Sequence, residues 1–316
     1  MRVCLMIEGQ EGVSWDQWRA IATACEEHGV ETLFRSDHYL SVEDRRERGS
    51  LDAWATLAAL AAVTSTVRLG TLVSPATFRH PAVLAKTAAT VDQISGGRVE
   101  VGLGAGWWEP EHELFGFPFP PVSERLDELE EQLELLRGQW DDGPFSFEGA
   151  HYRVRDLDPR PKPVQRPHPP LLLGGRGGRR SVRLAARLAD EYNTFFITEE
   201  ECRELRGRLD DACEREGRDP ATLPLSLLTG WLVGADRGEL LSRAERLTRS
   251  RGGGGDGEAY LRELPASWIT GTDDEAIERL RQLEAAGVER VMLQNLLHED
   301  LDVVALIGRR VAPALA

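Results

Sequence analysis

Two stretches carry residue types that could do chemistry. The first runs from Leu171 to Leu188, LLLGGRGGRRSVRLAARL. Three leucines after Pro169 and Pro170 fit a short buried strand. Gly174, Gly175, Gly177 and Gly178 permit a tight turn and a close backbone approach to a ligand. From Ser181, the residues Val182, Leu184, Ala185, Ala186 and Leu188 follow a helical spacing. A strand, a glycine loop and a helix start aim unpaired N–H groups and the positive end of a helix dipole at one point. Arg176, Arg179 and Arg180 add full positive charge there, in a chain of formal net charge -15. That combination fits a phosphate cradle, and it also fits a plain strand-to-helix turn with solvated arginines. The second stretch is Ser36-Asp37-His38-Tyr39. A histidine can give or take a proton near neutral pH, and Asp37 could orient it or contact a ligand. The alternatives are a histidine that closes a strand end and an aspartate that caps a loop.

These residues need elements to hold them. Arg2–Ile7, Val30–Arg35, Val67–Val73 and Arg98–Leu103 are short and mainly apolar, as buried strands are. Between them lie helical patterns: one capped by Ser14 and stopped by Gly29, one over Leu51–Val63, and one opened by His80 and Pro81. His80 reads as a helix-start residue. The order of strand then helix continues through Leu171, Glu191–Ile197, Leu225–Val233 and Arg290–Gln294, with a hairpin insertion at Phe145–Val154. Gly252–Pro265 reads as a flexible insertion, and Glu299–Ala312 as the last helix. Strands that are apolar on both faces imply a parallel sheet covered by helices. Eight such units make an α/β chain with the pattern of a (β/α)8 TIM barrel, a single domain over residues 1–316, with a doubly wound open sheet as the runner-up. A barrel puts function at the carboxyl ends of its strands. There the sequence places Glu8, Asp37, His38, Val73, Ser74, Gly104, Gly106, Gly174 to Arg179, Asn193 and Asn295.

Composition narrows the function classes. A chain of 316 residues with 41% hydrophobic and 29% charged residues suits a globular protein with a sizeable core. A pI near 5.0 argues against nucleic acid or an anionic membrane as the main partner. Cys4, Cys25, Cys202 and Cys213 show neither a CxxC pair nor metal-ligand spacing, and they read as reduced, packed thiols of a cytoplasmic protein. No metal site is expected. Glu8 and Glu11 interrupt the initial apolar run, so no signal peptide is expected either.

The chain resembles the luciferase-like monooxygenase superfamily, and within it the branch that uses the deazaflavin coenzyme F420. The resemblance rests on four stretches: Ser36–Tyr39; Val67–Gly116 (VRLGTLVSPATFRHPAVLAKTAATVDQISGGRVEVGLGAGWWEPEHELFG); Pro161–Gly175; and Gly271–Gln294. It implies a (β/α)8 barrel that binds coenzyme F420, or alternatively FMN, at the carboxyl-end face. The phosphate would sit on Gly174, Gly175, Arg176, Gly177, Gly178 and Arg179, and a non-proline cis peptide at Leu72–Val73 would support the ring. Asp37, Ser74, Gly104, Gly106, Trp107 and Asn193 would line the cofactor site. His38 would lie beside the reactive ring carbon. Glu111 would supply a carboxylate over the ring, with Glu109 competing for that role. Trp107 and Trp108 would wall the pocket, with one of them packing elsewhere, and His112 could reach it. Glu8 departs from the neutral residue more usual after the first strand, so it is either a substrate contact or the partner of an arginine. The implied activity is hydride transfer between coenzyme F420 and a small organic substrate. The alternatives are a reduced-FMN monooxygenase of the same fold and a flavin-binding barrel without turnover. The family also implies a homodimer.

Overall fold

The computed structural model describes residues 1–316, built around eight parallel strands that close on themselves. In chain order the elements are β1 (Arg2–Ile7), α1 (Trp15–His28), β2 (Thr32–Arg35), α2 (Ala53–Val63), β3 (Arg68–Thr71), β4 (Ser74–Pro75), α3 (Pro81–Ser95) and β5 (Val99–Gly104). Then come α4 (Glu109–Phe115), α5 (Val122–Trp140), β6 (Phe145–Glu148), β7 (Arg153–Leu157), β8 (Leu171–Gly174), α6 (Arg179–Leu188) and β9 (Glu191–Phe195). The last are α7 (Glu199–Arg215), β10 (Leu225–Gly234), α8 (Arg237–Ser250), α9 (Gly257–Glu263), β11 (Ile269–Thr272), α10 (Asp273–Ala285), β12 (Arg290–Gln294) and α11 (Leu301–Leu306). The barrel order is β1-β2-β3-β5-β8-β9-β10-β12, and β12 pairs with β1 through Met6↔Gln294 to close the ring. This is the (β/α)8 barrel. No helix is long and apolar enough to cross a membrane.

The continuous apolar runs have a direct cause: each strand is buried on both faces. Along β1, Cys4 and Met6 point into the barrel while Val3, Leu5 and Ile7 pack against the helices. In β8, Leu172 is inside and Leu171 and Leu173 are outside. The interior is layered. At its base the buried Arg290 bonds Glu100 and Glu191 at 2.7 and 3.1 Å, and Arg68 also pairs with Glu100 at 2.6 Å. Above this lies an apolar plug of Met6, Phe34, Leu72, Leu172 and Met292. The mouth opens above the plug.

Several elements differ from the sequence reading. The third strand stops at Thr71 and resumes at Ser74, and the Leu72–Val73 peptide between them is cis. Between β5 and α5 the chain adds the short helix α4, whose glutamates at Glu109 and Glu111 suit a first helical turn. Gly252–Pro265 holds the helix α9, capped by Asp256. β11 is an extra strand, parallel to β10 outside the barrel. β9 ends at Phe195 rather than Ile197. The last helix is shorter, with α11 ending at Leu306 and a π turn following over Ile307–Val311. The rest of the punctuation is as read: Ser14 forms a capping box with Gln17, Gly29 closes α1 in the left-handed region, and His80 accepts the Ala82 N–H ahead of α3.

Candidate active site

The carboxyl ends of β2 and β5 build the centre of the mouth. β2 delivers Ser36-Asp37-His38-Tyr39, and α4 brings Glu111 over it. Glu111 is fully buried. Its Oε2 lies 2.8 Å from His38 Nδ1, while its Oε1 accepts the backbone N–H groups of Tyr39 and Leu40. One carboxylate therefore fixes both the imidazole and the chain that carries it. Burial pushes the His38 pKa down; the Glu111 hydrogen bond and the charges of Glu111, Glu8 and Asp37 push it up, and the net is upward. The surroundings thus favour the protonated imidazole, and Nε2 is its one free nitrogen. The rings of Trp107 and Trp108 both stand edge-on to His38, with centroids 6.0 Å away. Trp107 is 65% exposed, so it is a rim residue rather than a packing one.

Of the roles open to Asp37, orienting His38 is not the one its hydrogen bonds serve. It accepts Ser74 Oγ at 2.5 Å and both Arg79 Nη atoms at 2.5 and 3.1 Å, and it makes no contact with His38. Arg79 also reaches the Tyr39 hydroxyl at 2.8 Å and Asp52 at 2.9 Å. Burial pulls the Arg79 pKa down and Asp37 raises it further, so the guanidinium stays charged. Sequence reading missed Arg79; the sign was an arginine next to the helix-starting His80. Glu109 sits exposed at the start of α4, which leaves the buried position to Glu111 alone. His112 does not reach the mouth. Its Nε2 bonds Thr77 at 2.6 Å and its Nδ1 the Trp108 carbonyl at 2.8 Å, so both ring nitrogens are engaged.

Val73 follows the cis peptide and lies against a floor of glycines. A Cβ on Gly104 would come within 2.8 Å of its Cγ2, and one on Gly174 within 3.1 Å. Gly106 takes φ +80, which a side chain rarely adopts. Opposite, the ring of Trp268 covers Gly230 so closely that a Cβ there would meet it at 2.1 Å.

The glycine-arginine loop follows β8. Gly175 N–H bonds the Asn193 carbonyl at 2.9 Å and Gly177 N–H the Tyr192 hydroxyl at 2.8 Å, so these two donors are committed to the protein. Gly178 begins α6 with no side chain capping it. The first N–H groups of that helix therefore lack an acceptor within the helix. Arg176 and Arg179 are exposed and in no ion pair, and Arg176 lies 4.6 Å over the Phe195 ring. Uncapped donors beside two unpaired guanidinium groups fit a phosphate. Arg180 does not belong to the set: it turns away to Asp127 and Glu130 on α5. Asn193 sits in the middle of β9, below the mouth, and its amide donates to Ser226 Oγ at 2.9 Å and contacts Met292 Sδ at 3.5 Å.

The family model for luciferase-like monooxygenases matches residues 2–290. An uncharacterised protein of Mycobacterium tuberculosis is 35% identical over 190 residues, which cover 55% of this chain and 66% of that protein. The match thus spans a little under two thirds of that relative's length. The FMNH(2)-dependent dimethylsulfone monooxygenase of Pseudomonas putida is 38% identical over 136 residues, covering 43% of this chain and 37% of that enzyme. The F420-dependent glucose-6-phosphate dehydrogenase of Nakamurella multipartita is 29% identical over 325 residues, covering 93% and 91%. In fold, the coenzyme F420-dependent tetrahydromethanopterin reductase of Methanopyrus kandleri superposes over all of both chains with a TM-score of 0.82 at 19% identity.

Proposed function

The chain belongs to the luciferase-like monooxygenase family, and from that premise we propose that it is an oxidoreductase moving a hydride between coenzyme F420 and a small organic substrate. The observation that carries this reading is the His38–Glu111 pair, an imidazole held at 2.8 Å by a buried carboxylate with its other nitrogen free. Hydride transfer to or from a carbon is accompanied by a proton, and a histidine so held exchanges one near neutral pH. The deazaflavin, when bound, supplies or accepts the hydride. The chain's own residues do the rest. The α6 N-terminus, Arg176 and Arg179 hold the phosphate. Val73, on its glycine floor, backs the ring. His38 Nε2 moves the proton, Glu111 keeps the imidazole charged and aligned, and the Asp37–Arg79 pair fixes the loop that carries it. Near-complete coverage of an F420-dependent relative supports the deazaflavin. The shorter but 38% identical match to an FMNH(2)-dependent enzyme favours the second reading, a monooxygenase using reduced FMN.

A fluorescence titration of the purified chain with coenzyme F420 and with FMN separates the two. Tight binding of F420, lost on changing Arg176 and Arg179 to alanine, is the expected result. Tight binding of FMN with none of F420, together with oxygen uptake, would move the protein to the second reading.

A further inference from the structure

Glu8 stands at the mouth and is in direct ion contact with no protein cation. Strand parity places it there: Cys4 and Met6 point into the barrel, and Glu8 is the next residue of that series. It is partly exposed, at the top of the apolar plug. Its carboxylate is held by two neutral amides, with Gln10 Nε2 at 2.8 Å from Oε2 and Gln294 Nε2 on Oε1. Both glutamines are buried. It forms no salt bridge, whereas Asp37 has Arg79 and Glu111 has His38. Arg35 lies behind it and feels its charge, but that guanidinium hydrogen-bonds the carbonyls of Ser36, Leu51 and Asp52 and is shared with the Asp37 and Asp52 carboxylates. Two fixed amide donors keep the carboxylate in one orientation without neutralising it. In the strand order, β1 and β8 stand four places apart in a ring of eight, on opposite sides of the mouth. Glu8 therefore faces the far end of whatever the Arg176–Arg179 loop holds, and it would repel an anion there.

We propose that Glu8 is the specificity residue of this mouth and selects a substrate bearing a cationic nitrogen, an ammonium or iminium group. The inference rests on the reading above that the mouth is the substrate site. The nitrogen would complete the set begun by Gln10 and Gln294, between the walls formed by Trp107 and Trp268. A carboxylate on the substrate would meet Glu8 unfavourably, so acids are disfavoured as substrates.

The test uses the full chain, alone and saturated with coenzyme F420 or FMN. Tryptophan fluorescence follows the binding of benzylammonium, benzyl alcohol and benzoate at matched ionic strength. Benzylammonium is expected to bind about tenfold or more tighter than benzyl alcohol, with benzoate weakest, as for a charge met in a partly desolvated site. Glu8→Gln should erase that preference while leaving benzyl alcohol unchanged. Glu109→Gln, on the exposed rim, should keep it. If Glu8→Gln does not fold, Glu8→Asp should weaken the preference without abolishing it. Wild-type protein that binds the cation no tighter than the alcohol, or a preference that survives Glu8→Gln, would overturn the proposal. Protein that bound neither F420 nor FMN but kept a Glu8-dependent preference would sink the cofactor reading and leave this one standing.

Discussion

Glu111→Gln is the perturbation that tests the centre of the mouth most directly. The side chain keeps its shape, and an amide oxygen can still accept the Tyr39 and Leu40 N–H groups that Glu111 now accepts. The bond to His38 changes in kind, from a carboxylate facing an imidazolium to an amide facing an imidazole. A hydrogen bond to a charged group contributes about 1.5–3 kcal/mol and a neutral one about 1, so the substitution should cost about 0.5–2 kcal/mol while His38 is protonated. Glu111 is the main influence raising the His38 pKa against burial, so removing its charge should let burial prevail and the pKa fall. The sign of the pH dependence follows. A histidine with a raised folded-state pKa adds stability fully present below its unfolded value, and that stability fades as pH rises through the folded value. The stability gap between wild type and Glu111→Gln should thus be wider at pH 6 than at pH 9. NMR titration of the His38 ring protons reads the pKa, and urea unfolding at the two pH values reads the gap. A His38 pKa unchanged in Glu111→Gln, or a gap that widens with pH, would refute the assignment of Glu111 as the partner that charges His38.

Three further outcomes can be checked separately. Arg176→Ala with Arg179→Ala should weaken cofactor binding at least tenfold and flatten its dependence on salt, since both guanidinium groups are exposed and screened; isothermal titration at two salt concentrations measures this. Arg79→Ala should destabilise the protein by about 3–5 kcal/mol, because it strands Asp37 as a buried unpaired carboxylate, whereas Asp37→Asn with Arg79→Ala should recover part of the loss in denaturant melts. All four thiols are buried, and burial pushes that of Cys202 up to about 12, so a thiol reagent at pH 8 should label none in the native protein and four after unfolding.

The barrel was legible because its cause is local. Strands buried on both faces must be apolar throughout, and Leu171 to Leu173 read as such whichever residue turned inward. The strand, glycine turn and helix start over Leu171–Leu188 were legible for the same reason, since they lie within consecutive residues. What escaped depends on contacts across the fold. Asp37 follows a strand end whether it serves His38 or Arg79, and only the return of the chain at Ser74 and Arg79 decides between them. Glu109 and Glu111 are two residues apart on α4, hence on different faces, and burial of one of them could not be read without the packing of that short helix. Arg180 looked like its neighbours until α5 supplied Asp127 and Glu130. Asn193 read as a possible ligand contact, and only the neighbouring strands show its amide spent on Ser226 and Met292.

The vertical order of charges in the barrel explains why the mouth can act on its own. At the base, Arg68 and Arg290 face Glu100 and Glu191, a buried set with matched signs and no uncommitted charge to offer a ligand. The plug of Met6, Phe34, Leu72, Leu172 and Met292 separates that set from the top, and it holds no titratable group. Proton exchange at His38 therefore has to be balanced within the mouth, by Glu111, Asp37, Glu8 and Arg79. Arg35 and Arg79 lie among these carboxylates, and Glu8, on the β1 side, is the one in no direct ion pair. The unpaired Arg176 and Arg179 lie on the β8 side. A molecule lying across the mouth would meet positive charge at one end and negative charge at the other, with the one mobile proton of the site between them. Under the proposed reading, that polarity would suit a cofactor whose anionic tail lies on the β8 side, because preset charges stabilise a bound group without reorganising when it arrives.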